Sequence, residues 1–503
     1  MINFNIPLNN NHEEIGWWKK FSQTLRRWML FEKFSNPFGF IFLTLISCFF
    51  SYYISTTTYK NGTLIIGGLL APCIVVWLAL NPVIQILTYV SLSFAIMYLL
   101  ALGVNFPLGT VMDGMLMMVI IDMLIKLKQS GEWYRLHGKV SRTVIVWVVY
   151  LFLEVGNPST ESRQAWVFTV RTMAVVAISF YAFLYHIRTK ELMRKLITIF
   201  LTFHFIAAWY AFKQEFFGYF QFEEDYLHSS PLITQLLFLA GHWRKYSIFS
   251  DPVTFAYNMV AGSLYLMGRM TGPLSKGRRW WYVFLIFSFL YNMLFSGTRG
   301  AFPLVPVTLV LYAIMKFSKN IMIGVAIAAI FMIFLINMPT SNQNILRFQT
   351  AFRPNNDMSY HARQVNQARI KPYVWTHPLG GGLGSTGEWG KKFAPGSYLS
   401  EFPPDSGYVR TTVEAGFIGL IIFCVMMFTI LKSGIDNYYS IRDPELKSIC
   451  FGCVLLIFAL NIGNYPQEAL VQYPSNVLFY LSTALIVTTK RIDDQQNLLQ
   501  NAS

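Results

Sequence analysis

The chain has 503 residues, of which 54% are hydrophobic and 17% aromatic, while only 13% carry charge. A soluble domain of this size needs far more charge to cover its surface, so lipid is the expected solvent. The formal net charge of +15 would also suit a nucleic-acid binder, but Lys and Arg gathered into cytoplasmic loops account for it, and the order of elements decides for the loops.

Some 37 residues, many of them polar or charged, precede the first apolar run, a pattern unlike a cleavable signal peptide. Within them, residues 17–31 place Trp17, Phe21, Leu25, Trp28 and Met29 on one helical face, with Lys19, Lys20, Arg26 and Arg27 largely off it. That is the pattern of an interfacial helix on the cytoplasmic leaflet. A helix needs about 20 apolar residues to cross the hydrocarbon core. Runs of that kind fall near 38–56, 63–81, 84–104, 108–126, 143–156, 167–185, 194–213, 252–269, 280–297, 300–317, 320–338, 409–431, 448–463 and 470–488. The fold expected is all-α, a polytopic bundle of about 14 transmembrane helices.

With the N-terminus inside, each loop tests the positive-inside rule. The loops expected inside are 127–142 (Lys128, Arg135, Lys139, Arg142), 186–193, 270–279, Lys316 to Asn320 and 432–447, and Lys490 and Arg491 follow the last run. The short loops expected outside, 57–62, 105–107, 157–166 and 464–469, carry few basic residues. The resulting organisation is a cytoplasmic segment 1–37, a bundle 38–338 with an outer loop 214–251, a large outer loop 339–408, the last helices at 409–490 and a cytoplasmic tail 491–503. Both termini are expected inside. Cys48, Cys73, Cys424, Cys450 and Cys453 all fall within apolar runs and read as small hydrophobes rather than metal ligands.

Charge is scarce in such a chain, so charge near membrane depth is informative. Arg171 sits about four residues inside the outer end of the sixth run, where it can snorkel outward or face a polar cavity. Asp113 is the main midspan acid and Asp122 lies near the inner end. Asp251 and Pro252 read as an N-cap and first helical residue; that pairing leaves Arg244, just before them, unexplained. Arg299 lies in SGTRGAF, a tight outer turn whose glycines bend the backbone but which needs no arginine for that purpose. Arginine offers a planar fork of donors that matches phosphate oxygens. In the large outer loop, residues 357–376 look helical and carry His361, Arg363, Arg369 and Lys371. A turn containing Gly380, Gly381, Gly382 and Gly384 follows, of a kind that can offer N–H groups to an anion. Asp405, Ser406 and Gly407 then lead into the twelfth run, with Glu414 one to two turns inside.

These segments resemble the O-antigen ligase and polymerase superfamily, bacterial membrane glycosyltransferases acting on undecaprenyl-pyrophosphate-linked glycans. WRKYSIFSDP is similar to the family's arginine–aromatic–Asp/Asn-Pro pattern, and FSGTRGAF to its Ser-Gly-x-Arg turn. RF followed by DMSYHARQ and THPLGGGLGS resembles its large outer loop, and PDSGYVRTTVEAGFIGL the start of the following helix. The resemblance spans about 244–420; the first seven helices match only in character. It implies a membrane-glycosyltransferase bundle with a large, partly helical periplasmic loop, an inner-membrane location, and no metal or other cofactor. It places pyrophosphate binding on Arg244, Arg299 and Arg363, with Arg171, Glu414 and Arg410 as supporting charges. Family ligases usually carry a histidine near the end of the outer loop, where this chain reads Pro404-Asp405-Ser406.

A pyrophosphate leaves well once its charge is held, and two or three arginines can hold it. The remaining task is deprotonation of an acceptor hydroxyl. Asp405 is the first choice for that base and His361 the second; His377, before a proline, reads as structural. The expected activity is polymerisation of O-antigen or exopolysaccharide repeat units. The alternatives are a ligase moving the finished chain onto lipid A core or protein, and a polysaccharide transporter or flippase, for which ionisable residues near midplane would be expected. The implied partners are an undecaprenyl-pyrophosphate-linked oligosaccharide and the bilayer, alongside flippase and chain-length regulator proteins, and not nucleic acid.

Overall fold

The computed structural model describes residues 37–56, 59–102, 108–239, 241–352 and 358–502, together with Phe21 and Thr24. Most of the amphipathic segment 17–31 lies outside the described residues. The chain divides into two compact units, Met1–Leu80 and Asn81–Ser503. The first holds α1 (Pro37–Thr56) and α2 (Tyr59–Leu80), which pack on each other. Large apolar side chains such as Phe40, Leu45, Phe49 and Trp77 are exposed there, the surface expected of helices whose solvent is lipid.

The second unit begins with α3 (Pro82–Ala101), α4 (Leu108–Ser130), α5 (Lys139–Leu153), α6 (Arg163–His186) and α7 (Lys190–Phe216). It continues with α8 (Pro252–Arg269), α9 (Lys276–Phe295), α10 (Leu304–Met315), α11 (Lys319–Asn337), α12 (Gly407–Ser440), α13 (Pro444–Gly463) and α14 (Ser475–Ala502). Among the described residues a helix thus stands at every expected apolar run, and the protein is an all-α polytopic membrane protein. Seven of these helices are long and apolar enough to cross a membrane by themselves: α3, α4, α6, α7, α11, α12 and α13. The last helix differs from expectation at both ends. It starts at Ser475, and the expected tail from 491 is its helical continuation to Ala502. The continuation is anchored: Asp493 is buried and accepts from the backbone N–H of Arg442 and of Asp443 (3.1 and 2.8 Å), and Arg491 donates to the carbonyls of Arg135 and His137.

α8 is the central helix. Nearly all of it is buried, and it packs against α13 and α9. Gly268 and Gly452 let the α8 and α13 backbones meet; a Cβ at Gly268 would lie 2.5 Å from the Gly452 Cα. Without a hydrophobic drive between helices in lipid, such close approach through small residues is what holds them together. Asp251 caps α8 by accepting from the N–H of Val253 and Thr254 at 2.8 and 2.9 Å, with Pro252 at the first helical position, as expected. Cys450 and Cys453 are buried in α13 and carry free thiols.

Hydrogen bonds between loops sort them onto two ends of the second unit. At one end Arg194 grips Glu445 through two nitrogens (2.8 and 2.5 Å), Lys190 pairs with Asp443 (2.6 Å) and Arg188 with Glu132 (2.9 Å). These join the loops expected inside. At the other end Arg244 bonds to the turn after α9, Asn157 to Leu379 O (2.9 Å), and Arg410 to Glu468 (2.8 Å). These join the loops expected outside.

Candidate active site

The turn after α9 is built to hold one arginine. Gly297 takes φ +56° to reverse the chain, a conformation favoured for glycine. A Cβ on Gly300 would lie 3.0 Å from the Tyr257 hydroxyl and 3.3 Å from Pro466, so this residue lets the turn press between α8 and the loop after α13. Arg244 braces the turn from behind. Its Nε donates to Ser296 O (2.8 Å), one terminal nitrogen to Thr298 Oγ1 (3.0 Å) and the other to Leu236 O (3.2 Å). Burial pushes the Arg244 pKa down to about 10, and the neighbouring charges of Arg347 and Arg299 add to that push against Asp251. Arg347, from the short helix Gln343–Thr350, donates through Nε to Gly297 O (3.2 Å). Its neighbour Phe348 packs on Phe302 with ring centroids 5.2 Å apart. Two guanidinium groups therefore bond to the turn that carries a third, Arg299.

Arg299 and Arg363 line one cavity of about 570 Å³, within the size range of small-ligand sites, about 300–1,000 Å³. Arg363 projects from the helix Met358–Thr376, found where the sequence places it. Tyr408, Asn461, Tyr465 and Pro466 complete the far wall; the Tyr408 hydroxyl bonds to the Asn461 side chain. Arg363 also lines a narrow cleft with Asn366, Gln367 and Asp405. Asp405 is exposed, yet the surrounding walls raise its carboxyl above the ordinary range, while the Arg363 charge pulls it down. His361 is exposed on the same helix and is not among the residues lining either space. His377 stacks on Tyr373 at 4.0 Å and bonds to its carbonyl at 3.1 Å, in keeping with a structural role.

Beneath the cleft lies a buried charge cluster. Arg410 donates to Glu414 (3.1 Å) and to Glu468 (2.8 Å), and Glu414 Oε1 also accepts from the Thr386 hydroxyl at 2.5 Å. Burial holds Glu468 above the ordinary carboxylate range against the pull of Arg410, and the Glu414 and Asp405 charges add to the rise. Arg410 and Glu414 thus have each other as partners. Arg171 is placed differently: it pairs with Asp113 at 2.5 Å inside a π-helical turn, Arg171–Val175, of α6, and does not line the cavity. π-Turns inside α-helices frequently occur at functional sites.

In the glycine-rich turn the N–H groups of Gly380, Gly381 and Gly382 go to protein carbonyls. α12 breaks at Gly416 (φ +67°, ψ −173°), which strands carbonyls that a continuous helix would use. Gly381 N donates to Val413 O (2.8 Å), Gly382 N to Glu414 O (2.9 Å), and the Tyr150 hydroxyl to Ala415 O (2.6 Å). In return Phe417 N donates to Pro378 O at 3.0 Å. The loop repairs the helix; Arg410 and Glu414 pair one turn apart on the stretch before the break. Gly416→Ala is expected to destabilise the protein by about 2–5 kcal/mol, because a Cβ there collides with the Pro378 carbonyl oxygen in a backbone region nearly reserved for glycine. A thermal melt of detergent-extracted protein tests this, and an unchanged midpoint refutes it.

Residues 283–424 match the family model described as O-antigen ligase. Over that stretch the chain is similar to O-antigen ligases. The match supports the O-antigen ligase/polymerase superfamily and takes in Arg299, Arg347, Arg363, Asp405, Arg410 and Glu414, while Arg244 and Glu468 lie outside it. No curated protein matches the chain. A multi-pass membrane protein with this similarity has the bilayer and a lipid-linked glycan as its expected surroundings. Sequence reasoning passed over Arg347, Glu468, Tyr408, Asn461 and Tyr465. A signal existed for Glu468, an acid in a short loop of a charge-poor chain. Arg347 and Tyr408 stand within two of the segments that resemble the family, RF and PDSGYVRTTVEAGFIGL, while nothing local distinguishes Asn461 and Tyr465.

Proposed function

We propose that this protein, similar to O-antigen ligases over residues 283–424, is a periplasmic-face polysaccharide polymerase. It would transfer a growing glycan from undecaprenyl pyrophosphate to a hydroxyl of the next lipid-linked repeat unit. The observation that carries the reading is the convergence of Arg299 and Arg363 on one cavity with Asp405 beside Arg363. In this reading the two guanidinium groups hold the pyrophosphate, supplying the charge a divalent ion would otherwise bring. Asp405 takes the proton from the acceptor hydroxyl as its oxygen attacks C1 of the donor sugar. The bond from C1 to the pyrophosphate oxygen breaks, a glycosidic bond forms, and the centre inverts. Arg244 and Arg347 act as positioning residues, since both bond to the turn that carries Arg299. A transport reading finds less support: the midspan acid Asp113 is already closed by Arg171.

A second reading, ligation of the finished chain to lipid A core or protein, is favoured by the description of the matched family. Pro404-Asp405-Ser406, standing where family ligases usually carry a histidine, favours polymerisation. Purified protein given only lipid-linked repeat units is expected to build a ladder of polymers, with or without EDTA. In a deletion strain single repeat units and no ladder are expected. Long lipid-linked chains surviving in that strain would make the protein a ligase.

A further inference from the structure

α5 and α12 pack side by side, and a groove of about 510 Å³ opens between them, near the end that gathers the basic loops. On α5 its lining residues Lys139, Arg142 and Val146 lie on one helical face, and on α12 Ile421, Val425 and Thr429 recur at every fourth residue. Lys139 begins α5, and Val146 lies about 10 Å further along the axis at 1.5 Å per residue. The groove therefore has cations at its mouth and an apolar floor running inward.

The two cations differ from their neighbours. Arg135 pairs with Glu132 (2.9 Å) and Lys126 with Asp122 (2.8 Å). Lys139 and Arg142 are exposed, and neither side chain makes a hydrogen bond or an ion pair among the described residues. Two unneutralised cations above an apolar slot at a membrane boundary match an amphiphile with a phosphate head and a hydrocarbon tail, and basic pockets between helices on the cytoplasmic side recognise lipids of that kind.

We propose that the α5–α12 groove binds an anionic glycerophospholipid of the adjacent leaflet, its phosphate on Lys139 and Arg142 and one acyl chain along Val146, Ile421 and Val425. The cavity with Arg299 lies at the opposite end of the unit, so this site is independent of the transfer chemistry. Its occupancy would fix α5 against α12. The test is native mass spectrometry of the full-length protein titrated with phosphatidylglycerol and, separately, with phosphatidylcholine. Tighter retention of phosphatidylglycerol is expected, reduced roughly ten- to thirtyfold in the Lys139→Gln/Arg142→Gln double variant, the combined effect of two cations facing an anionic head. Thr429→Trp, which fills the slot and leaves both charges, is expected to weaken binding as well. Equal retention of the two lipids by the wild type, or unchanged phosphatidylglycerol binding by a monodisperse double variant, overturns the proposal. Neither readout depends on glycan transfer, so its failure would leave the polymerase reading untouched, and the reverse also holds.

Discussion

Arg299→Ala is expected to abolish polymer formation, a loss of about 10²–10³-fold or more, the scale seen when one preorganised donor to a developing anion is removed. The turn around Arg299 is held by other residues: Arg244 bonds to Ser296 and Thr298, Thr298 Oγ1 donates to Pro252 O at 3.0 Å, and Arg347 bonds to Gly297. The variant should therefore still insert and remain monodisperse, which size-exclusion of extracted protein checks. Arg299→Lys should rescue poorly, because an ammonium is a point charge and cannot offer two parallel N–H groups to a phosphate. Full activity of the lysine variant in the purified ladder assay would remove the phosphate-gripping role from Arg299.

Asp405→Asn keeps shape and loses proton affinity, and is expected to cost roughly 10²–10⁴-fold in rate. The pH profile makes the same assignment in a second way. A base works only when ionised. Because the walls of its cleft raise the Asp405 carboxyl, activity should fall on the acid side at a higher pH than for an ordinary aspartate. The Arg363 charge pulls that pKa down, so Arg363→Gln should move the acid limb to still higher pH, in addition to weakening substrate binding. An acid limb that stays in place in Arg363→Gln would separate Arg363 from the base. His361→Ala should leave the rate nearly intact, since His361 lines neither the cavity nor the cleft. A fully active Asp405→Asn with a dead His361→Ala would transfer the base to the histidine.

Some of these residues were legible in the sequence because their cost is local. An arginine at SGTRGAF stands out since a turn needs glycines and no guanidinium, and Asp251-Pro252 announces a helix start by its own capping chemistry. The glycine-rich turn is undecided by its sequence, open to an anion cradle or to a plain connection. Read alone it offers free N–H groups; in the fold those of Gly381 and Gly382 belong to carbonyls of α12 released by the break at Gly416, more than thirty residues later. Arg171 was ambiguous between lipid and cavity until Asp113, from another helix, was seen to pair with it at 2.5 Å.

What the sequence determined by itself is the all-α membrane class, the position of each apolar helix and the grouping of the loops onto two sides. Each follows from a property of a short stretch: a run of apolar residues long enough for the hydrocarbon core, or a bias of Lys and Arg in one loop. Only the tertiary structure decided that Arg299 and Arg363 share a cavity while Arg244 stands behind it, that Arg347 joins them, and that Glu468 and Glu414 divide one buried arginine. Those facts depend on how each helix is rotated about its axis and on contacts between loops far apart in the chain. In a helix that is apolar on nearly every side, hydropathy carries almost no information about rotation; packing at small residues such as Gly268 and Gly452 sets it instead.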